Sequence, residues 1–161
     1  MPVTNVTHDA DTRTLTITAE FAAPVTRVWQ IYADPRQLEK IWGPPTYPAT
    51  VVDHEFRPGG RVTYFMTSPE GEKYPGYWKI QEVDEPHSFR FVDGFADQDF
   101  TPIESMPESS SVYTFTERDG RTLVTYTSTY ATAEALQQVL DMGMIEGATE
   151  AINQIDVFLA A

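Results

Sequence analysis

Between residues 132 and 159 the apolar positions recur at three- and four-residue steps. Leu136, Val139, Leu140, Gly143, Met144, Gly147, Ala148, Ala151, Ile152, Ile155, Phe158 and Leu159 fall on one stripe. That spacing predicts a single long amphipathic helix with one buried face. Thr132 is placed to cap its start, with Glu134 in the first turn where the helix dipole favours an anion. The middle of the stripe is small: Gly143, Gly147, Ala148 and Ala151. A glycine inside a helix costs roughly 1 kcal/mol relative to alanine, so two of them one turn apart require a reason. Either a backbone packs closely there, or the helix is thinned to leave an internal space.

Upstream the period changes. Residues 1–11 are polar and predicted to be loose. In 12–21, Leu15, Ile17, Ala19 and Phe21 alternate with threonines, the pattern of a half-buried strand. Ala23-Pro24 ends it, and Val25, Val28, Trp29 and Tyr32 supply helical spacing. Asp34-Pro35 opens a second short helix carrying Leu38, Ile41 and Trp42, with Asp34 as its cap, and Gly43-Pro44-Pro45 stops it. Six strands follow, predicted over 49–57, 61–67, 74–83, 88–92, 112–117 and 122–130, divided by turn residues such as Pro58-Gly59-Gly60 and Asp119-Gly120. Short connections favour antiparallel neighbours. The order strand, two short helices, about six strands, long helix defines an α+β fold in one domain spanning 1–161. The segment 97–111, rich in Asp, Pro, Glu and Ser, is a surface loop long enough to lie over a cavity.

Parity along the strands puts Val62, Tyr64 and Met66 on one face, as it does Trp78 with Ile80, Phe89 with Phe91, and Val124 with Tyr126. A sheet wrapped around the closing helix turns these large side chains inward, opposite the small residues of the helix. An aromatic core and an internal pocket are both compatible with that pattern.

A formal charge of −13, from 11 Lys+Arg against 24 Asp+Glu, removes the basic footprint that nucleic-acid binding requires. It equally disfavours docking on anionic lipid. Neutral or cationic small ligands, or a protein with a basic patch, stay open. No apolar run is long enough for a membrane span, and no basic-then-apolar N-terminus indicates a signal peptide. Cysteine is absent, which excludes disulfides and thiolate chemistry and fits a cytoplasmic location. No cofactor motif is present: Gly59-Gly60 lacks the lysine and helix of a phosphate-binding loop, and His8, His54 and His87 have no metal-binding spacing. No catalytic constellation stands out.

Four stretches in order carry a family resemblance. They are Ala23-Pro24 through Val28-Trp29, Asp34-Pro35, Leu38 and Trp42-Gly43-Pro44; then Arg57-Pro58-Gly59-Gly60-Arg61 before an aromatic strand ending in Met66; then Gly76-Tyr77-Trp78 through Glu82-Val83-Asp84-Glu85-Pro86; and last Met142-Gly143-Met144-Ile145-Glu146-Gly147 ahead of Ile152 and Ile155. Together they resemble the START-like (SRPBCC) superfamily, in the branch related to the Hsp90 co-chaperone activator domain (Aha1-type C-terminal domain). The resemblance runs from about Leu15 to Leu159. It implies a helix-grip fold, a curved antiparallel sheet of six to seven strands around the C-terminal helix with a cavity between them. It also weights Gly143 and Gly147 toward a cavity wall, with Met142 and Met144 as adaptable neighbours.

Three functions follow as expectations. The first is binding of a hydrophobic or aromatic small molecule by Trp42, Tyr64, Met66, Trp78, Phe89, Phe91, Tyr126, Leu140, Gly143, Met144 and Gly147, without a catalytic set. The second is an interaction role toward an Hsp90-type chaperone or another stress partner, although the chain is expected to lack the Hsp90-binding N-terminal domain of the eukaryotic co-chaperone. The third is a cyclase- or aromatase-like enzyme, which needs a polar group in the pocket with a shifted pKa. His54, Glu55, Glu20 and Tyr126 are the candidates.

Overall fold

The computed structural model describes residues 2–160. Its strands are β1 (Val3–Asp9), β2 (Thr14–Phe21), β3 (Ala49–His54), β4 (Arg61–Thr67), β5 (Lys73–Asp84), β6 (Ser88–Phe95), β7 (Ser109–Arg118) and β8 (Arg121–Tyr130). They form one curved, unclosed antiparallel sheet in the order β1-β2-β8-β7-β6-β5-β4-β3. Between β2 and β3 lie α1 (Val25–Ala33) and α2 (Pro35–Ile41); after β8 come α3 (Ala133–Asp141), α4 (Met144–Asn153) and α5 (Ile155–Ala160). The α+β helix-grip arrangement is therefore present, with eight strands rather than six or seven. No helix among the described residues is long and apolar enough to cross a membrane.

The extra strand is β1, in the stretch expected to be loose. Its side chains are mostly exposed, so the sequence has no alternation to read. Backbone pairing with β2 makes it a strand, and its Val3 N–H donates to Asn153 Oδ1 on α4 at 3.1 Å.

The closing helix differs more. Instead of one element it is three. Gly143 sits at φ +86° between α3 and α4, a left-handed conformation that an L side chain resists. A second break falls at Gln154, whose side-chain Nε2 donates to the carbonyls of Ile41 at 3.2 Å and Gly43 at 2.6 Å. That amide satisfies the end of α2, where helix carbonyls lack intrahelical partners. Each piece still buries apolar residues of the stripe: Leu136 and Val139 of α3, Ala151 and Ile152 of α4, and Ile155 of α5. The predicted caps are in place: Thr132 accepts from Ala135 N and Asp34 from Arg36 N.

The concave face of the sheet carries the core. Phe21, Val62, Trp78, Phe89, Phe91 and Val124 are fully buried on it, as strand parity predicts. α1 lays Val28, Trp29, Ile31 and Tyr32 over one part of this face, all buried. The C-terminal helices cover the other part, and there the packing changes.

Candidate functional site

A cavity of about 770 Å³ lies between the concave face and the C-terminal helices. Its helical wall is Met144, Gly147, Ala148, Ala151 and Ile152 of α4, with Val139 of α3. Its floor comes from six strands: Leu15 and Ile17 (β2), Tyr64 and Met66 (β4), Gly76 (β5), Asp93 (β6), Tyr113 (β7), Tyr126 and Ser128 (β8). Trp42, Pro44 and Tyr47, following α2, close one end, and Ile103, Met106 and Pro107 of the β6–β7 loop close another. The loop is therefore part of the wall. It is held there by Arg61, which donates to the Phe100 carbonyl, and by the Ile103 N–H on the Phe95 carbonyl at 3.0 Å.

The reason for the open space is local. A Cβ built on Gly147 would meet nothing within 4 Å, so the missing side chain leaves a void rather than admitting a close neighbour. Of the two readings of the small-residue stretch, the internal space holds at Gly147. Gly143 also lines the cavity, but its positive φ gives it a separate reason to be glycine.

Among the expected ligand-binding residues, the structure brings Trp42, Tyr64, Met66, Tyr126, Gly143, Met144 and Gly147 together around the cavity. Trp78, Phe89 and Phe91 lie in the aromatic core, with Phe91 4.5 Å from Trp78 and 5.2 Å from Phe89 between ring centroids. Leu140 packs in a smaller cluster with Leu136, Val139 and Tyr130. Trp78, Phe89, Phe91 and Leu140 are not on the cavity wall.

The polar candidates separate as sharply. His54 Nε2 is 3.0 Å from the Tyr32 carbonyl and its ring stacks on Phe56. Glu55 pairs with Arg57 at 2.6 Å and Glu20 with Arg121 at 2.5 Å, both at the surface. Only Tyr126 reaches the cavity; its hydroxyl is 2.8 Å from that of Tyr32. Burial pushes both phenols above their ordinary range.

The polar residue that the sequence reading passed over is Asp93. β6 extends beyond the predicted end at Val92, so Asp93 continues the inward parity of Phe89 and Phe91. That parity was the available signal. Its Oδ1 accepts from the Tyr64 hydroxyl at 3.1 Å. Tyr64 is itself aimed by Gly76 across the strand pair, where an added Cβ would fall 2.4 Å from the phenol oxygen. Asp93 retains accessible surface, yet it lies deep in protein, where desolvation is the largest influence and raises its pKa to about 7. The Tyr64 and Gly94 hydrogen bonds oppose that rise, and the nearby Glu108 charge adds to it. Serine hydroxyls form a second polar strip: Ser111 Oγ is 3.2 Å from Ser109 and 3.0 Å from Ser128.

A curved antiparallel sheet gripping C-terminal helices over an internal cavity defines a START-like domain. The family model described as "Activator of Hsp90 ATPase homolog 1-like protein" matches residues 22–160, and the chain belongs to that family. Solved structures agree. A crystal structure of protein Ms6760 from Mycobacterium smegmatis is 75% identical, with TM-score 0.91 over 98% of this chain and 97% of that one. A solution structure of a protein from Arthrobacter aurescens is 42% identical, with TM-score 0.94 over 98% of this chain and 92% of that one. DynU16, a protein of the dynemicin biosynthetic locus, shares the fold at 16% identity and TM-score 0.63, covering 89% of this chain and 47% of that one. No curated protein matches the chain.

Proposed function

We propose that the protein binds a hydrophobic or aromatic small molecule in the cavity between the sheet and α4. The observation that carries this reading is the unfilled space under Gly147, Ala148 and Ala151. Its volume of about 770 Å³ falls within the ~300–1,000 Å³ range of small-molecule sites. Protein interiors are otherwise close-packed, so an apolar-lined space of this size within the fold is suited to a guest molecule. The lining suits the role: aromatic and aliphatic surface for affinity, and a few hydroxyls and one carboxylate for orientation. Native mass spectrometry of freshly purified protein tests it. The expected result is a mass excess released by collisional activation. Protein that carries no such excess and takes up none of a panel of apolar fluorophores would overturn the reading.

A second reading has its own support. A cyclase- or aromatase-like enzyme needs an acid–base group inside the pocket, and Asp93 beside Tyr64 meets that requirement. Turnover of a polyketone substrate that is lost in Asp93→Asn while ligand binding persists would favour it over simple binding.

A further inference from the structure

Asp93 has an unusual setting for a carboxylate in an apolar enclosure. Among the described residues lining the cavity it is the only Asp or Glu, and none of those residues is Lys, Arg or His. The charged group acting on it is Glu108, which has the same sign. Lys79, the cation near that loop, lies 4.0 Å from Glu108 and has the opposite strand parity to Trp78, which is paired with Asp93. Buried charges are ordinarily paired within the protein. Among the described residues none supplies a counter-charge to Asp93, and Asp93 lies on the cavity lining.

The surroundings fit a cation. A carboxylate offers about four lone-pair sites, and Asp93 uses one oxygen for Tyr64 and a further bond to the Gly94 backbone. Tyr113 and Tyr130 also line the cavity and lie close enough to feel the Asp93 charge. Aromatic faces attract ammonium groups once water is removed. An anionic ligand meets the reverse: desolvation, a like charge, and no basic side chain to receive it.

We propose that Asp93 is the anchor for a protonated amine, so that the cavity selects lipophilic amines over neutral or acidic molecules of the same shape. This rests on the cavity being a ligand site. The raised pKa of Asp93 is consistent with a carboxylate awaiting a partner; binding of the amine draws the group back to its ionised form. The titratable groups facing Asp93 are Tyr64 from β4, Tyr77 from β5, Glu108 ahead of β7, Tyr113 from β7 and Tyr130 from β8. The tyrosines all titrate well above neutrality, so near pH 7 the change at this spot belongs to Asp93.

Three isosteric probes test the idea by isothermal titration calorimetry at about pH 8: 1-(aminomethyl)naphthalene, 1-naphthalenemethanol and 1-naphthoic acid. The amine is expected to bind about 10- to 100-fold more tightly than the alcohol, as for one buried charge-assisted hydrogen bond, and the acid least. In Asp93→Asn the amine should fall to the level of the alcohol, while the alcohol holds its affinity. If Asp93→Asn does not fold, the native chain supplies the same contrast. Amine affinity then rises about tenfold between roughly pH 6 and pH 8 as the carboxylate ionises, and the alcohol stays level. An acid that binds as well as the amine, or an amine preference that survives Asp93→Asn, overturns the inference and leaves the cavity reading standing. Binding by none of the three overturns both.

Discussion

Two parts of one concave sheet face have opposite fates. Under α1, Trp29 makes edge-on contacts with Phe56, Phe89 and Phe115 at centroid distances of 5.7, 5.7 and 5.2 Å, and the space is filled. Around the cavity, the same sheet presents Tyr64, Tyr113 and Tyr126, the last two also touching Tyr32 of α1, and the space beyond Gly147 of α4 is open. Both parts receive large inward side chains from the strands. What differs is the helix laid on top: Val28, Trp29 and Ile31 in one case, Gly147, Ala148 and Ala151 in the other, with Tyr32 at the boundary on the cavity lining. The helices, not the sheet, decide where this fold is core and where it is container.

The largest test of that contrast is truncation on either side of it. Phe89 is fully buried and contacts Trp29, Phe56, Trp78, Phe91 and Tyr113. Phe89→Ala should therefore cost about 3–5 kcal/mol in urea denaturation, as for other buried rings. Met144 already faces the cavity and is half-exposed, so Met144→Ala should cost about 1 kcal/mol, having little close packing to lose. Equal costs at the two positions would mean the α4 region is as tightly packed as the α1 region.

How much of this was legible in the chain follows from what each signal reports. Strand parity placed Tyr64, Trp78, Phe89, Phe91 and Tyr126 inward correctly, because alternation reports which face a side chain is on. Parity does not report how far along the face a residue lies, and so it could not separate Trp78, Phe89 and Phe91, packed in the aromatic core, from Tyr64 and Tyr126, on the cavity lining. That distinction depends on how the helices land on the sheet. β1 was missed because an exposed edge strand has no buried alternation. Asp93 was missed because an acid after Val92 reads as the end of a strand. The break at Gly143 was hidden because the stripe keeps its helical period across a glycine that is left-handed.

A smaller effect probes the polar side of the container. The folded-state pKa of Asp93, about 7, lies above the ordinary aspartate value of 3.8. Between those values the folded chain holds a proton that the unfolded chain has released. Stability should therefore fall as pH rises from about 4 to about 7, by at most about 1.4 kcal/mol per unit, and then level off. The Asp93→Asn chain lacks this titration. The stability difference between the two, followed by denaturation at several pH values, should grow across that window in favour of the variant. A difference that stays flat with pH would show that water reaches Asp93 freely and that this end of the cavity is not enclosed.

The two glycines of the α3–α4 region give the finest test, because they should respond with opposite signs. At Gly143 the backbone is left-handed, φ +86°. Alanine there opposes the conformation that separates the helices and should cost about 1–2 kcal/mol. Gly147 has ordinary helical geometry within α4 and open space where its Cβ would be. Alanine at that site should add up to about 1 kcal/mol of stability from helix propensity alone. Gly147→Leu should keep that gain and bury its side chain in the cavity, so thermal stability holds or rises while uptake of apolar probes is lost. A protein made more stable and less able to bind by the same substitution identifies the glycine as a residue kept for the space beside it. If Gly147→Leu destabilises the fold instead, that space is not available to a side chain, and the contrast between core and container fails at the position where it is drawn most sharply.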